Sequence, residues 1–369
     1  MPSANRYPIK IHVCEPDITE LEIKYVTDAI KSKDISSIAE PVRKLENAFA
    51  ERFGMKHAVA VNSGGSALFL ALKALGMKPG DEVIVPDFTM IASAAAVSHC
   101  GAKPVFVDSS EKSFNVDVSK IEEKITPRTK MIMPVHLYGE PCDMDPIMEI
   151  AKKHNLLVVE DAAEAHGAKY KGRMVGTFGV ANCFSFYANK IMTTGEGGMI
   201  VTNDADLANK LKHMRGYDFD DEKHFWHQTI AWNLRMSALA AALGLAQLKR
   251  LDELIEKRRA NARYYTEQLK DVPGIRFFPE PPDTFSVFWM YGLCVPRCDE
   301  LMEFLAKNGI ETRTFFIPMH VQPVYNQTGD FKWSDYYGER GLYLPSSSHI
   351  SKEEKDFVIS KVKEFYSGS

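Results

Sequence analysis

The sequence has no apolar run that approaches the ~20 residues of a membrane-spanning helix, and it has no long run of basic residues. Its 45 Lys and Arg residues are outnumbered by 49 Asp and Glu residues, which gives a formal net charge of −4. This balance excludes the basic footprint of a nucleic-acid-binding protein. The first ten residues are polar and lack the apolar core of a signal peptide. We therefore expect a cytoplasmic protein with neither a membrane nor a nucleic acid as its partner.

Cysteine is also scarce, and its spacing is not that of a metal site. The six cysteines are Cys14, Cys100, Cys142, Cys183, Cys294 and Cys298. We expect all of them to be reduced thiols, and we predict no metal site. The sequence also lacks G-x-G-x-x-G and G-x-x-x-x-G-K-[ST], so it matches neither the dinucleotide-binding nor the nucleoside triphosphate-binding fingerprint.

Short apolar runs alternate with helical patterns from about residue 57 to residue 215. The predicted strands cover residues 57–61, 82–85, 104–107, 131–135, 156–160, 182–187 and 199–201. The predicted helices cover residues 66–75, 91–99 and 146–154, with a further polar helix between residues 107 and 131. Strands that alternate with helices indicate a mainly parallel sheet, buried on both faces, with ligands bound at the carboxyl ends of its strands.

A different pattern begins near residue 234. Residues 234–270 are predicted as one long helix or two abutting helices. The elements predicted on either side cover residues 16–31, 40–53, 276–278, 290–295, 301–308, 311–315 and 352–365. The predicted fold class is therefore α/β, with a large domain (residues 1–250) and a smaller C-terminal α/β domain (residues 251–369).

Lys190 follows an apolar run, residues 182–187, and precedes a turn of small and glycine residues, 193–198. A lysine near a strand end beside flexible backbone suits covalent chemistry on a carbonyl. Its amine can form a Schiff base, and the glycines leave room for a ligand. The alternative interpretation is a solvated loop lysine.

Residues 62–68 follow a predicted strand and open a helix. Free N–H groups at a helix N-terminus bind phosphate. Gly64 and Gly65 would let the phosphate approach the backbone, and Ser66 adds a hydroxyl. The alternative is a plain glycine turn with a serine N-cap.

Four further side chains are candidates, each with a structural alternative. Asp161 ends a buried strand, where a carboxylate is costly unless a cation pairs with it; it could face a protonated ring nitrogen or serve as an N-cap. Phe88 could cover a flat ring or lie in the core. Arg235 could be a phosphate clamp or a surface residue, and His320 could be purely structural.

A phosphate site, an aromatic cover, a carboxylate for a ring nitrogen and a lysine for an aldehyde match the groups of pyridoxal phosphate. Six segments carry a resemblance to a known family: residues 62–68, 80–86, 160–167, 184–198, 233–236 and 318–320. In this order they resemble the motifs of the DegT/DnrJ/EryC1/StrS sugar-nucleotide aminotransferases. The resemblance covers about residues 12–365 and implies a fold-type I (aspartate aminotransferase-like) enzyme with pyridoxal phosphate as its cofactor.

Carried over residue by residue, the resemblance implies roles around the cofactor ring. Lys190 would form the Schiff base and later move the proton. Asp161 would pair with the pyridine nitrogen, and Glu164 would lie near the ring hydroxyl. Phe88 would stack on the ring.

The resemblance also implies how the phosphate and the substrate are held. Gly65, Ser66 and Ser185 would hold the cofactor phosphate. Asn233 would reach that phosphate from the other subunit of a homodimer with shared active sites. Arg235 would contact the diphosphate of a nucleotide-sugar substrate.

The implied reaction moves the amino group of L-glutamate to a nucleotide-linked 4-keto-6-deoxy sugar, with His320 as a candidate contact to the sugar or nucleotide. Residues 225–227, 233–236 and 316–323 most resemble the branch that converts GDP-4-keto-6-deoxymannose to GDP-perosamine. Another nucleotide keto-sugar, linked to UDP or dTDP and aminated at C3 or C4, is an alternative. A non-catalytic cofactor-binding regulator and a pyridoxal phosphate dehydratase are the others.

Two positions depart from the family pattern. Many members have Thr where this chain has Gly65, so a hydroxyl is lost there and only the backbone contact remains. Many have Gln where this chain has Glu164, which changes the charge near the ring oxygen. Dehydratase relatives have His in place of Lys190, so the lysine favours amino transfer.

Overall fold

The computed structural model describes residues 7–220, 222–223 and 225–368. The first six residues of the predicted large domain and the last residue of the predicted small domain, residue 369, lie outside the described residues. The helices are α1 (Glu20–Ser32), α2 (Glu40–Phe53), α3 (Gly64–Ala74), α4 (Ile91–His99), α5 (Met144–Lys153), α6 (Ala205–Met214), α7 (Ala238–Lys249), α8 (Leu251–Leu269), α9 (Cys298–Lys307), α10 (Lys332–Arg340) and α11 (Lys352–Ser367). The strands are β1 (His57–Val61), β2 (Glu82–Pro86), β3 (Lys103–Val107), β4 (Ser109–Ser110), β5 (Ser113–Val116), β6 (Thr129–Ile132), β7 (Leu157–Asp161), β8 (Lys169–Tyr170), β9 (Arg173–Met174), β10 (Ala181–Ser185), β11 (Gly198–Thr202), β12 (Thr284–Phe285), β13 (Tyr291–Cys294), β14 (Arg313–Thr314) and β15 (Gly341–Leu344). Of the described helices, none has the length and apolar character needed to cross a membrane.

Seven strands form the central sheet in the order β1-β11-β10-β7-β6-β2-β3. Strand β11 is antiparallel to its neighbours β1 and β10, and the other pairs are parallel. Every residue of β2, β10 and β11 is buried, as expected for a sheet that helices cover on both faces. The structure therefore confirms the predicted α/β fold with a mainly parallel sheet.

Side-chain caps fix the starts of two helices that follow strands of this sheet, α3 after β1 and α6 after the antiparallel β11 at the opposite edge. Ser63 caps α3, because its Oγ accepts a hydrogen bond from the Ser66 N–H at 3.1 Å. Asp204 caps α6 in the same way, with the Leu207 N–H as donor at 3.0 Å. Such caps satisfy N–H groups that a helix leaves free in its first turn. The cap of α3 places the N-terminus of this helix directly after β1.

The C-terminal part of the chain builds a second, antiparallel sheet in the order β13-β15-β14. Helices α8, α9 and α11 share a hydrophobic core with it, in which Leu293, Leu342 and Val358 are fully buried. Ile11 joins this core from the N-terminal side and pairs with Ile310. The C-terminal core is thus also in contact with the first residues of the described chain.

Helices α7 and α8 meet at Arg250, so the alternative of two abutting helices is confirmed. The Arg250 guanidinium fixes this junction, since it donates to Asp17 Oδ1 at 2.8 Å and to Glu22 Oε1 at 3.0 Å. The predicted boundary between domains 1–250 and 251–369 falls at the same place and stays a prediction.

The polar helix predicted between residues 107 and 131 is wrong. The chain there forms the β4–β5 hairpin, followed by two short 3-10 helices, Val118–Lys120 and Glu122–Lys124. The side chain of Asp117 accepts a hydrogen bond from the Ser119 N–H at 3.0 Å. Such a local bond stabilises a tight turn in competition with an α-helix.

Two elements of the C-terminal half also differ from the prediction. The strand expected around Arg276 is reduced to a single bridge between Arg276 and Cys294. The helix expected from residue 234 begins at Ala238. Its first predicted turn is extended instead, because the Leu234 carbonyl accepts a hydrogen bond from the Asn62 N–H at 2.8 Å, just beyond β1.

Candidate active site

The carboxyl edge of the central sheet brings together side chains that are distant in sequence. Asp161 is the last residue of β7, and Ser185 is the last residue of its neighbour β10. Lys190 follows β10 in a turn that is closed by a hydrogen bond from its N–H to the Tyr187 carbonyl at 2.9 Å. Because parallel strands end at the same edge, the predicted lysine and aspartate lie on one side of the sheet.

Lys190 is a buried amine rather than a solvated loop lysine. Its side chain is 10% exposed, and its Nζ lies 3.7 Å from Glu164 Oε1. The same Nζ lies 3.7 Å from the centre of the Trp289 ring. Burial lowers the pKa of Lys190, against the opposing effect of the Glu164 and Asp161 carboxylates. A lysine whose pKa is lowered in this way is a better nucleophile at neutral pH.

Asp161 is a buried carboxylate held by uncharged donors. Its Oδ2 accepts a hydrogen bond from the Ser93 hydroxyl at 2.7 Å, and its Oδ1 accepts one from the Ala163 N–H at 3.1 Å. Burial raises the pKa of Asp161, while these two hydrogen bonds and the charge of Lys190 act in the opposite direction. The Ala163 contact closes a local turn, and no helix begins after Asp161 in this part of the described chain, so Asp161 is not a helix N-cap. A cationic ring nitrogen would stabilise the ionised form.

Glu164 completes the surroundings of the lysine. Its Oε2 accepts a hydrogen bond from the Tyr138 N–H at 2.8 Å, and burial raises its pKa to about 7. Burial therefore shifts both Glu164 and Lys190 toward their uncharged forms. Tyr138 makes this contact from the left-handed region, with φ at 55°, a conformation that costs a non-glycine residue about 1–2 kcal/mol.

Tyr138 also connects Glu164 to the C-terminal part of the chain. Its carbonyl accepts a hydrogen bond from the Trp289 N–H at 2.9 Å. The Trp289 indole N–H in turn donates to the Asn189 carbonyl at 2.7 Å. The wall that covers Lys190 is therefore fixed to both halves of the chain.

The first turn of α3, which we call the α3 cradle, packs closely against the end of β10. A Cβ added to Gly64 would lie 2.6 Å from Ser185 Cβ, whereas a Cβ on Gly65 would meet only Ser63 Oγ, at 4.0 Å. The hydroxyl of Ser63 donates to Ser66 Oγ at 2.9 Å. Glycine is therefore required at position 64 rather than at position 65. Serine hydroxyls beside a helix N-terminus are a suitable donor set for a phosphate.

Phe88 lies in the core, and its predicted stacking on the cofactor ring stays a prediction. Its side chain is fully buried, and its ring packs against those of Tyr138, Phe315 and Tyr337. Phe88 thus belongs to the core that joins the two halves of the chain. Met90, two residues further on, is 47% exposed and lines the adjacent cavity.

His320 is engaged on both sides of its ring. Its Nδ1 lies 2.7 Å from Asp87 Oδ2, and its Nε2 lies 3.3 Å from Asp335 Oδ1. The ring stacks on Phe331 at a centroid distance of 4.4 Å. In the described chain His320 thus links the end of β2 to the C-terminal part, as its structural alternative requires.

Asn233 and Arg235 lie beside the outer strand of the sheet. Asn233 is exposed and pairs with Gly216. Arg235 pairs with Val61, the last residue of β1, and lines a shallow cavity together with Asn62. Arg235 therefore flanks the residues that lead into the α3 cradle, whereas Asn233 is exposed beside Gly216.

A cavity of about 420 Å³ lies next to the lysine and includes residues that sequence reasoning missed. It is lined by Asn189 and Trp289 on the lysine side and by Arg313 and Tyr343 on the side of the small sheet. Trp289 and Tyr343 are more than 90 residues away from Lys190 in the chain. No local motif could have indicated these contacts.

Comparison with known proteins adds to this geometry. The model of the DegT/DnrJ/EryC1/StrS aminotransferase family matches residues 16–363. A GDP-perosamine synthase of Caulobacter vibrioides is 46% identical over 360 residues, covering 95% of this chain and 97% of that protein. A GDP-perosamine synthase of Escherichia coli O157:H7 is 43% identical over 361 residues, covering 97% and 99%. The structure of S. venezuelae DesV in complex with a ketimine intermediate matches with a TM-score of 0.89 at 38% identity, covering 94% of each chain.

Proposed function

Because the chain belongs to the DegT/DnrJ/EryC1/StrS aminotransferase family, we propose that it transfers the amino group of L-glutamate to GDP-4-keto-6-deoxymannose and so forms GDP-perosamine. The enzyme is a pyridoxal phosphate-dependent sugar aminotransferase. Identities of 46% and 43% to two GDP-perosamine synthases over nearly the whole chain support the choice of sugar. Within the site, the observation that carries the proposal is the buried Lys190 amine beside Glu164.

The described residues suit pyridoxal phosphate group by group. The N-terminus of α3 and the hydroxyls of Ser66 and Ser185 would hold the phosphate. Gly64 allows α3 to approach Ser185 of β10 closely. Asp161 would face the pyridine nitrogen, and Lys190 would take the aldehyde. When bound, the cofactor supplies an electron-withdrawing ring and a carbonyl that exchanges amino groups.

Lys190 would carry the proton that amino transfer requires. Burial lowers its pKa, which favours the neutral Nζ that would take a proton from the α-carbon of the amino donor. Glu164, at 3.7 Å from Nζ, is the nearest acid and can share that proton. Trp289 covers one side of the amine and excludes water from it. Asp161 would keep a proton on the ring nitrogen, because its buried carboxylate would gain a cationic partner there.

We also propose a cytoplasmic homodimer with shared active sites. Asn233 is exposed on the outer edge of its own subunit, which suits a side chain that reaches the cofactor phosphate of the other subunit. Trp226 and Ile230, on the same segment, are 49% and 95% exposed, and a second copy would remove this apolar surface from water. Arg235, beside Asn62, is the proposed contact to the substrate diphosphate.

The decisive experiment uses the enzyme in its pyridoxamine phosphate form. It is mixed with GDP-, UDP- and dTDP-linked keto-sugars, and the return of the absorbance of the pyridoxal form is followed. We expect GDP-4-keto-6-deoxymannose to react fastest and Lys190→Ala to react with none of them. A reaction confined to UDP- or dTDP-linked sugars would refute the GDP-perosamine assignment.

Two other outcomes would point to the alternative functions. Release of water from the sugar without amino transfer would indicate a dehydratase. Tight cofactor binding with no response to glutamate or to any keto-sugar would indicate a non-catalytic regulator. Either result would overturn the proposed reaction.

A further inference from the structure

We propose that Arg313 holds a carboxylate of the amino donor L-glutamate. This inference rests on the proposed function, because it assigns the donor site of the same reaction. Arg313 lies on β14 and lines the cavity beside Trp289. Among the described residues that line this cavity, it carries the only positive charge. A donor with two carboxylates that enters here has one fixed cation to meet.

Contacts that extend from the small sheet place Arg313 near the reacting amine. Arg313 is directly opposite Tyr343 in the β14–β15 register, so both side chains share one face of the sheet. The Tyr343 ring lies 5.2 Å from the ring of Tyr138. The N–H of Tyr138 holds Glu164, which is 3.7 Å from Lys190 Nζ. This series of contacts connects Arg313 to the surroundings of Lys190.

The guanidinium of Arg313 is positioned but not saturated. Its Nη2 donates to Glu311 Oε1 at 3.3 Å. The other oxygen of Glu311 accepts a hydrogen bond from the Val13 N–H at 3.1 Å, so this carboxylate is itself anchored. The Nε of Arg313 is buried and has no hydrogen-bond partner in the described part of the chain. An arginine has five N–H donors in a planar fork that matches a carboxylate, so donors remain for a ligand.

The sugar substrate also carries an anion, its diphosphate. The position of the diphosphate within that substrate argues against diphosphate binding at Arg313. The carboxylates of glutamate lie one bond and three bonds from the carbon that reacts. The diphosphate of the sugar substrate is separated from the keto carbon by the width of the sugar ring. Arg235, which pairs with Val61 and lines a separate cavity together with Asn62, is the candidate for that group.

The test compares the two half-reactions in Arg313→Gln, with Arg313→Lys as the conservative variant. Arg263→Gln is the matched control, since Arg263 is 58% exposed and pairs with Glu256 away from this cavity. We expect Arg313→Gln to slow conversion of the pyridoxal form by L-glutamate roughly 100-fold, as the loss of a hydrogen-bonded charge predicts. The half-reaction with the keto-sugar should stay within about twofold of the wild type, and Arg313→Lys should recover part of the loss.

Binding to the holoenzyme without chemistry provides a second readout. Calorimetry with glutarate, which has two carboxylates and no amine, should show weaker binding to Arg313→Gln and unchanged binding to Arg263→Gln. GDP should bind equally to all variants. Weaker GDP binding or a slower keto-sugar half-reaction in Arg313→Gln would overturn the inference, and so would undiminished glutarate binding.

Comparing donors identifies the carboxylate that is held. If Arg313 holds the side-chain carboxylate, Arg313→Gln loses the preference for glutamate over glutamine. If it holds the α-carboxylate, both donors lose rate equally. Both results support the inference. Because the glutamate half-reaction needs no sugar, a wrong sugar assignment would leave this test intact.

Discussion

Replacement of Gly64 by alanine tests the phosphate cradle directly. The added Cβ would lie 2.6 Å from Ser185 Cβ and 3.2 Å from Ser185 Cα. Ordinary contacts of a Cβ begin at 3.4 Å, so the two elements must separate by about 1 Å. Rotation of the serine side chain cannot relieve the overlap, because the nearest atoms include the Cα of β10.

The separation of α3 from β10 in Gly64→Ala should lower both the stability of the protein and its affinity for the cofactor. Overpacking of this kind costs about 1–3 kcal/mol of stability. Displacement of the α3 N-terminus also misaligns N–H donors toward the phosphate. A hydrogen bond to a charged group contributes about 1.5–3 kcal/mol, and 1.4 kcal/mol corresponds to a tenfold change in affinity. We therefore expect Gly64→Ala to weaken pyridoxal phosphate binding by about 10- to 100-fold.

The matched control is Gly65→Ala in the same turn. Its Cβ would meet only Ser63 Oγ, at 4.0 Å, and alanine favours a helix over glycine by up to about 1 kcal/mol. Cofactor-free protein is titrated with pyridoxal phosphate while the absorbance of the bound cofactor is followed, and urea unfolding is measured without cofactor. Equal cofactor affinity of the two variants would refute the cradle at Gly64.

Two further predictions concern the carboxylates. Asp161→Asn should leave urea unfolding within about 1 kcal/mol of the wild type but slow the glutamate half-reaction at least 100-fold, because an amide cannot keep the ring nitrogen protonated; a near-normal rate would contradict this role. Burial raises the pKa of Glu164 from 4.5 to about 7, so the unfolded chain releases this proton first and the wild type loses stability as pH rises from about 4.5 to 7. The free energy of unfolding of cofactor-free Glu164→Gln, measured with urea at fixed protein concentration, should therefore rise relative to that of the wild type by up to about 3 kcal/mol across this range. The difference should stay constant at higher pH. A difference that does not depend on pH would contradict the raised pKa of Glu164.

Site residues that lie at or just after the ends of predicted strands could be predicted from the sequence. Asp161 and Lys190 are separated by a crossover, yet they meet because neighbouring parallel strands end at one edge. The serine cap of α3 is likewise visible as a local pattern. Local rules of this kind predicted most of the central sheet correctly.

Residues that reach the site through packing could not be predicted in this way. Phe88 and Met90 are both apolar residues after β2, and only the approach of Phe315 from the C-terminal part decides which of them is buried. Trp289 and Arg313 lie in irregular or very short elements with no motif of their own. Their roles follow from long-range contacts, which composition and periodicity do not encode.

The contact between Lys190 and Trp289 has a consequence for the order in which the chain is synthesised. A nascent chain that has grown only as far as residue 250 has no Trp289, so the ring that covers one side of the Lys190 amine is still missing. This cover forms only after Trp289 has been synthesised and has packed against the Asn189 carbonyl. The surroundings of the amine are therefore complete only when this late part of the chain has folded.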